Sequence, residues 1–323
     1  PADRLGGLTT GGLGQTDIGN KQVIGGLSRE FYKRVAKKYQ DPKNWKWQKK
    51  AEYKDGGQTR TSSQEDAMWT FEPSMALEIY EDMIRENDVK VIYNERLDLD
   101  ADLKLNKGRI ETVKMESGKV FSAKMFIDAT YEGDLMALAG VSYAVGRESN
   151  DQYGETLNGV QTALGKHHQF PDGVDPYIRT GEPSSGLLPN INADIQRDGT
   201  GDSKIQAYCY RMCLTDAPEN RIPFKKPEDY NELEYELLFR AIEAGAVSPY
   251  FIPSDMPNRK TDWNNRGPFS TDYIGKNYNY AEGDYETRDK IREAHKTYQL
   301  GLMWTLAYHP RIPESIREEI SRW

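Results

Sequence analysis

At 323 residues, with a net charge of −8 and a mean hydropathy of −0.81, the chain is long enough for one large domain or two ordinary ones and is polar on the whole. Acidic and basic residues are interspersed, which excludes a basic stripe for a nucleic-acid backbone, and no apolar run is long enough to span a membrane. Two cysteines, Cys209 and Cys213, lie four apart in a segment that reads as a strand, too far to bridge, and neither they nor His167, His168, His295 and His309 show metal-ligand spacing.

The chain opens on a glycine-crowded loop, Arg4-Leu5-Gly6-Gly7-Leu8-Thr9-Thr10-Gly11-Gly12-Leu13-Gly14-Gln15-Thr16-Asp17. Glycines without Cβ atoms let backbone amides approach a phosphate or a flat ring, and Leu5, Leu8, Leu13 and Ile18 set the stretch apart from a flexible linker. A helix is expected from Arg29 to Tyr39 with Ser28 as its cap. Residues 41–70 read as an irregular excursion, and a second helix starts at Glu72-Pro73-Ser74 and runs to Asn87. A β-meander is expected over 89–129: Val89 to Tyr93, then Ile110 to Met115 after a turn at Gly108, then Val120 to Ala129 after Ser117-Gly118. The run 123–130 is apolar on consecutive positions, as in a strand buried on both faces, and leads through a small-residue turn into a helix from Leu135 to Gly140. Such a strand–turn–helix is where α/β proteins place anionic cofactors.

Beyond Val141, residues 147–202 are loop-rich, and Lys204 to Leu214 alternates like a strand. Helices are expected over 229–244 and 285–307, separated by a loop over 250–285 dense in Asn, Asp, Tyr and Trp. The expected organisation is α/β, with a cofactor part over 1–146 and a mixed α+β substrate or cap part over 147–323.

Three blocks carry a family resemblance. Arg4-Leu5-Gly6-Gly7, continued by Leu13-Gly14-Gln15-Thr16-Asp17, resembles the loop that runs from the ribose-binding acidic residue towards the flavin in FAD-dependent oxidoreductases of the glutathione-reductase-like type. The meander from Val89 to Ala123 is similar to the inserted strands of the FAD domain. Phe126-Ile127-Asp128-Ala129-Thr130-Tyr131-Glu132-Gly133-Asp134 resembles a second cofactor-contacting turn, where Ala-Thr-Gly is more usual. The nearest resemblance is to the bacterial members found beside polysaccharide-degrading genes. It implies a Rossmann-like FAD-binding domain, here incomplete: the Gly-x-Gly-x-x-Gly turn and a C-terminal closing segment are expected outside these residues, so this portion alone is expected to hold FAD weakly. By resemblance, Arg4, Gly6, Gly7, Leu8, Gly11, Gly12, Leu97, Ala129, Thr130, Gly133 and Asp134 face FAD.

Each candidate has a competing structural role. Asp134 could bond ribityl hydroxyls or cap a helix, and the glycines could serve a tight turn. Gln15 and Asp17 are candidates for the reacting centre, a carboxylate there acting as a base or merely capping a turn. Arg147, with Glu148 and Glu155, could line the substrate side or form a surface ion pair. The pair His167-His168 could supply a base near neutral pH or lie exposed. Trp263 and Tyr278 offer flat faces for a sugar, unless they pack their own loop. The expected function is hydride transfer between FAD and an organic, preferably carbohydrate, substrate in a periplasmic or secreted setting. The rival expectations are a polysaccharide lyase or hydrolase and a non-catalytic carbohydrate-binding protein.

Overall fold

The computed structural model describes residues 4–15, 17–56, 60, 65–166, 168–246 and 251–323. The glycine loop closes on itself as a single turn, α1 (Gly7–Thr10), followed by α2 (Gly26–Lys38) and α3 (Pro73–Glu86). Helix α2 starts earlier than expected. Gly25 is its cap and Ser28 lies within the first turn, because the extended backbone at Gly25 already turns the chain into the helix. Phe31 and Val35 of α2 meet Met75, Ala76 and Ile79 of α3, with Phe31 stacked on Tyr80 at 5.0 Å and edge-on to Phe71 at 5.4 Å. Among the described residues the excursion contributes two 3-10 turns, and it returns to bury Ala67 and Trp69 completely. There the Phe71 amide donates to the Gly14 carbonyl at 3.1 Å, and Gln15 bridges to Thr70.

The meander is β1 (Lys104–Asn106), β2 (Arg109–Lys114) and β3 (Val120–Ser122), antiparallel in that order. Its first turn uses Lys107 and Gly108, both at positive φ. Two expected strands are corrected. Residues 89–93 and 123–130 have no ladder partner among the described residues, and Met125 and Ile127 are 77% and 86% exposed. A consecutive apolar run expresses a preference for burial on both faces, but burial requires neighbours on both sides. Next come α4 (Asp134–Leu138), shorter than the expected helix, and α5 (Asn150–Tyr153).

Residues 205–210 alternate between half-buried and exposed as a strand would, yet only β4 (Cys213–Thr215) is laddered. Side-chain amides substitute for a neighbouring strand: Gln299 accepts from the Tyr210 amide at 2.9 Å and donates to its carbonyl at 2.8 Å, and Asn277 donates to the Gln206 carbonyl at 2.7 Å. A 3-10 turn at Glu232–Tyr235 leads into α6 (Glu236–Glu243). The expected loop over 250–285 instead contains a hairpin, β5 (Phe251–Met256) and β6 (Lys260–Asn265), turned at Asn258 and Arg259, both left-handed. The second sheet has the order β4-β6-β5 and is antiparallel throughout. Helices α7 (Tyr285–Tyr308) and α8 (Glu314–Ser321) complete the chain. Tyr235, Leu238, Phe239, Leu302, Met303 and Leu306 anchor the C-terminal core.

The hairpin turn ties this half to the α2–α3 half. Asn258 donates to Glu72 at 2.6 Å and to the Asn44 carbonyl at 2.8 Å, and Lys260 pairs with Glu72 at 2.6 Å. Among the described residues, no helix is long and apolar enough to cross a membrane, and no His/Cys/Asp/Glu group could hold a metal.

Candidate functional site

A cavity of about 1180 Å³ is lined by Leu8 of the glycine loop, Leu99, the turn 131–134 with the start of α4, the segments 143–146, 205–211 and 280–284, and the N-terminal half of α7. Its volume suits a cofactor-sized ligand. Helix periodicity explains the contribution of α7, because Arg288, Ile291, Arg292 and His295, at positions i, i+3, i+4 and i+7, all line it. Tyr208, Tyr210 and Tyr280 add aromatic walls, Tyr208 meeting Tyr280 edge-on at 5.5 Å.

Two hydrogen-bonded links set the cavity's shape. The Leu8 amide donates to the Tyr131 hydroxyl at 2.9 Å, joining two motifs 123 residues apart. Arg288 reaches across to Asp134 with two nitrogens, each 2.7 Å from a carboxylate oxygen, and donates to the Tyr280 and Ala281 carbonyls. This guanidinium is buried, and a bidentate partner plus two carbonyls is what such burial requires. Beside it Tyr285 donates to the Leu97 carbonyl at 2.9 Å and carries Arg96 over its ring at 3.9 Å. Burial, reinforced by the Asp134 charge, pushes the Tyr285 phenol up to about 12. Burial likewise raises Tyr210, Tyr280 and the Cys209 thiol and lowers His295.

Of the residues singled out from the sequence, Leu8 and Asp134 line this cavity. Leu97 stands behind it through Tyr285. Gly133, not Asp134, occupies the cap position of α4, and the Asp134 carboxylate pairs with Arg288 in the cavity wall. The amides at the start of α4 are served by Asp128, which accepts from Met136 at 3.2 Å and from Thr130 at 2.9 Å. Ala129 and Thr130 are exposed. The glycines are pressed against the protein itself. A Cβ on Gly6 would meet the Tyr80 ring, one on Gly7 the Tyr131 hydroxyl, one on Gly11 the Gly7 carbonyl, and one on Gly12 the Arg211 backbone. Arg4 is exposed.

Gln15 and Asp17 are not brought to the cavity. Gln15 faces Thr70 on the other side of the loop, and Asp17 is exposed. Arg147 forms a double ion pair with Asp202 and lies outside the lining, with its neighbour Gly146 at the edge. Glu148 and Glu155 are exposed. Trp263 is corrected from a sugar platform to a core residue: Phe251 stacks on it at 4.8 Å and Trp323 meets it edge-on, leaving no free face. Tyr278 borders a separate, smaller pocket. The exposed His168 accepts from the Gly267 amide at 2.9 Å, and His167 and Thr16 fall outside the described residues.

Sequence reasoning missed Tyr131, Arg288 and His295 as site residues. The signal for the last two was present, since both are polar residues on the inward stripe of a helix whose other face is solvated.

Among curated proteins and among solved structures, none matches the chain closely enough to compare. The model of the family described as FAD dependent oxidoreductase matches residues 1–319, nearly the whole sequence. The chain therefore belongs to the FAD-dependent oxidoreductase family, and its cofactor is FAD.

Proposed function

We propose that the flavin ring of FAD and an organic substrate meet in this cavity, where the enzyme passes a hydride between them, and that the substrate is a carbohydrate presenting a hydroxyl. The observation that carries this reading is the 2.9 Å bond from the Leu8 amide to the Tyr131 hydroxyl. It brings together, at one edge of one cavity, the two motifs whose resemblance points to the cofactor.

The residues present fit the group. The cavity volume accommodates a fused ring system with a small substrate, the tyrosine walls give it apolar faces, and Arg288 and Arg292 put guanidinium groups at the margin. Tyr208, Tyr210 and Tyr280 would flank the ring. Arg288, held rigid by Asp134, would orient the cofactor's polar portion. When bound, FAD supplies two-electron chemistry. The protein's own part is to exclude water with the tyrosine walls, to fix the guanidinium before the ligand arrives, and to present aromatic faces on which a sugar can stack. The carbohydrate reading thus rests on these tyrosines and no longer on Trp263. A glutathione-reductase-like domain plan and a periplasmic or secreted location belong to the same reading.

The test is to add FAD to the chain and follow flavin fluorescence, then to mix the loaded protein anaerobically with neutral mono- and oligosaccharides and monitor flavin absorbance. Quenching on binding followed by bleaching with a sugar is the expected result. FAD binding with no bleaching by any sugar would remove the carbohydrate substrate, and absence of FAD binding would remove the cavity assignment. New unsaturated or reducing ends from a polysaccharide without flavin would favour a lyase or hydrolase instead.

A further inference from the structure

Among the described residues, every guanidinium in the cavity wall already has a carboxylate. Arg288 pairs with Asp134 at 2.7 Å, Arg211 with Asp262 at 2.5 Å, and Arg292 with Asp289. The same wall holds Glu132, Glu282 and Asp284, and none of these forms an ion pair with a described residue. Glu282 accepts from the Tyr143 hydroxyl at 3.0 Å, and Asp284 caps α7 by accepting from the Thr287 amide at 2.8 Å. Glu132 has no such partner among the described residues. It stands half-buried on the turn 131–134, close enough to Tyr280 and Arg288 for its charge to act on both. Aromatic faces lie alongside. Tyr208 and Tyr210 are two apart on an extended segment, which puts their rings on one face, and each is 42% exposed. Tyr280 meets Tyr208 edge-on at 5.5 Å and 84°, so the two rings make a corner. Arg288 lies 5.8 Å from the Tyr280 ring, and this wall therefore already seats one cation on an aromatic face.

We propose that the substrate of this cavity carries a protonated amine, received at the corner of Tyr208 and Tyr280 beside Glu132, and that Glu132 is the residue that selects for its charge. The inference rests on the flavin and carbohydrate reading above and narrows it to an amino sugar. An ammonium group is attracted both by a ring face and by an unpaired carboxylate, and the exposed Tyr208 and Tyr210 rings are open to it. A neutral sugar would leave the Glu132 charge unanswered. A uronic acid would add a like charge to a wall with a surplus of carboxylates. To reach Arg288 it would also have to displace Asp134 from a bidentate pair. The amine is a handle and takes no part in the chemistry, so no bond to its nitrogen forms or breaks. It is held alike before and during hydride transfer, which places its effect in KM and not in kcat.

The test is calorimetric titration of the whole chain, free and after addition of FAD, with glucosamine, glucose, N-acetylglucosamine and glucuronate at neutral pH. Glucosamine should bind about 10-fold more tightly than glucose or N-acetylglucosamine, neither of which carries the charge, and glucuronate should bind most weakly. Added salt should erode that preference. Glu132→Gln keeps the size of the side chain and removes its charge, so the ratio of glucosamine to glucose affinity should fall close to one. Tyr208→Leu should lower the ratio and Tyr208→Phe should preserve it. In the FAD-loaded protein the same preference should appear in KM for flavin bleaching. Equal binding of glucosamine and glucose, tighter binding of glucuronate, an unchanged ratio in a folded Glu132→Gln, or no binding of any of the four would each overturn the proposal. Circular dichroism reports whether Glu132→Gln is folded, and if it is not, the two Tyr208 variants decide. If FAD does not bind, or binds and is bleached by no sugar, the reading of the preceding subsection fails by itself, and the titrations still decide whether the cavity selects an amine.

Discussion

Gly7 shows how narrowly the opening loop is specified. Its φ of +53° belongs to the region that side chains avoid, and any Cβ would press on the Tyr131 hydroxyl that receives the Leu8 amide. Gly7→Ala should therefore destabilise the chain by about 1–3 kcal/mol in urea unfolding. Gly25→Ala, where a Cβ meets open space, should be close to neutral. In a Tyr131→Phe background the clash with the hydroxyl disappears while the strained φ stays, so the cost of Gly7→Ala should shrink without vanishing. Asp134 is governed by charge rather than by space. Asp134→Ala strands the buried Arg288 guanidinium, at a cost of about 3–5 kcal/mol. On the same helix, Glu286→Ala breaks an ion pair whose two side chains are largely exposed, and unfolding should register under about 0.5 kcal/mol. Equal losses for the two variants would show that the Asp134 pair is solvated and does not organise the cavity.

At the scale of elements, the turn from Asp128 to α4 depends on one carboxylate. Burial pushes the Asp128 carboxyl up, but hydrogen bonds from the Thr130 side chain and from the amides of Thr130, Met136 and Leu135 outweigh it and hold the group below its usual range. A carboxyl lowered in the folded state stabilises fully above its unfolded value, near 4, and that contribution is lost as pH falls through the lower folded value. Protection factors at Thr130, Leu135 and Met136, the intrinsic rate at each pH divided by the exchange rate, should thus be high at pH 6 and fall towards pH 3, further than those of the α2–α3 core. Asp128→Asn should remove that pH dependence. A pH-independent turn in the wild type would count against capping by Asp128.

Helix α3 was legible because its first-turn proline and its apolar stripe agree along the sequence, and α7 because its length and apolar spacing do. The strand reading of 123–130 failed because an apolar run states a preference that only neighbours can satisfy. The β5–β6 hairpin was hidden because its turn uses Asn258 and Arg259 in place of a glycine. Of the site, the sequence indicated Leu8 and the Asp134 turn. The partners Arg288 and His295 lie more than 150 residues further on, where only the fold brings them alongside.

For the whole molecule, cooperativity hangs on the polar bridge at Glu72. This buried carboxylate accepts from Tyr39 at 2.9 Å in its own half and from Asn258 and Lys260 of the hairpin, and Asn258 also accepts from the Trp47 amide at 3.1 Å. No apolar cluster of buried residues among the described ones contains members from both the α2–α3 core and the C-terminal core. The bridge therefore links them, together with the Tyr53 hydroxyl donating to the Asp255 carbonyl at 3.3 Å and the Arg259 amide donating to Gln48 at 3.3 Å. Exchange measured on peptides spanning 67–79 and 298–306 should report one common opening free energy in the wild type. Glu72→Ala leaves Lys260 and Asn258 without their shared acceptor and should cost about 3–5 kcal/mol, with the two peptides now opening at different free energies. Glu72→Gln keeps an acceptor oxygen for Asn258 or Tyr39 and loses only the ion pair, so its loss should be smaller and its opening still shared. Two separate openings already present in the wild type would mean that the cores are independent, and that the cavity's two walls are not held by the hairpin.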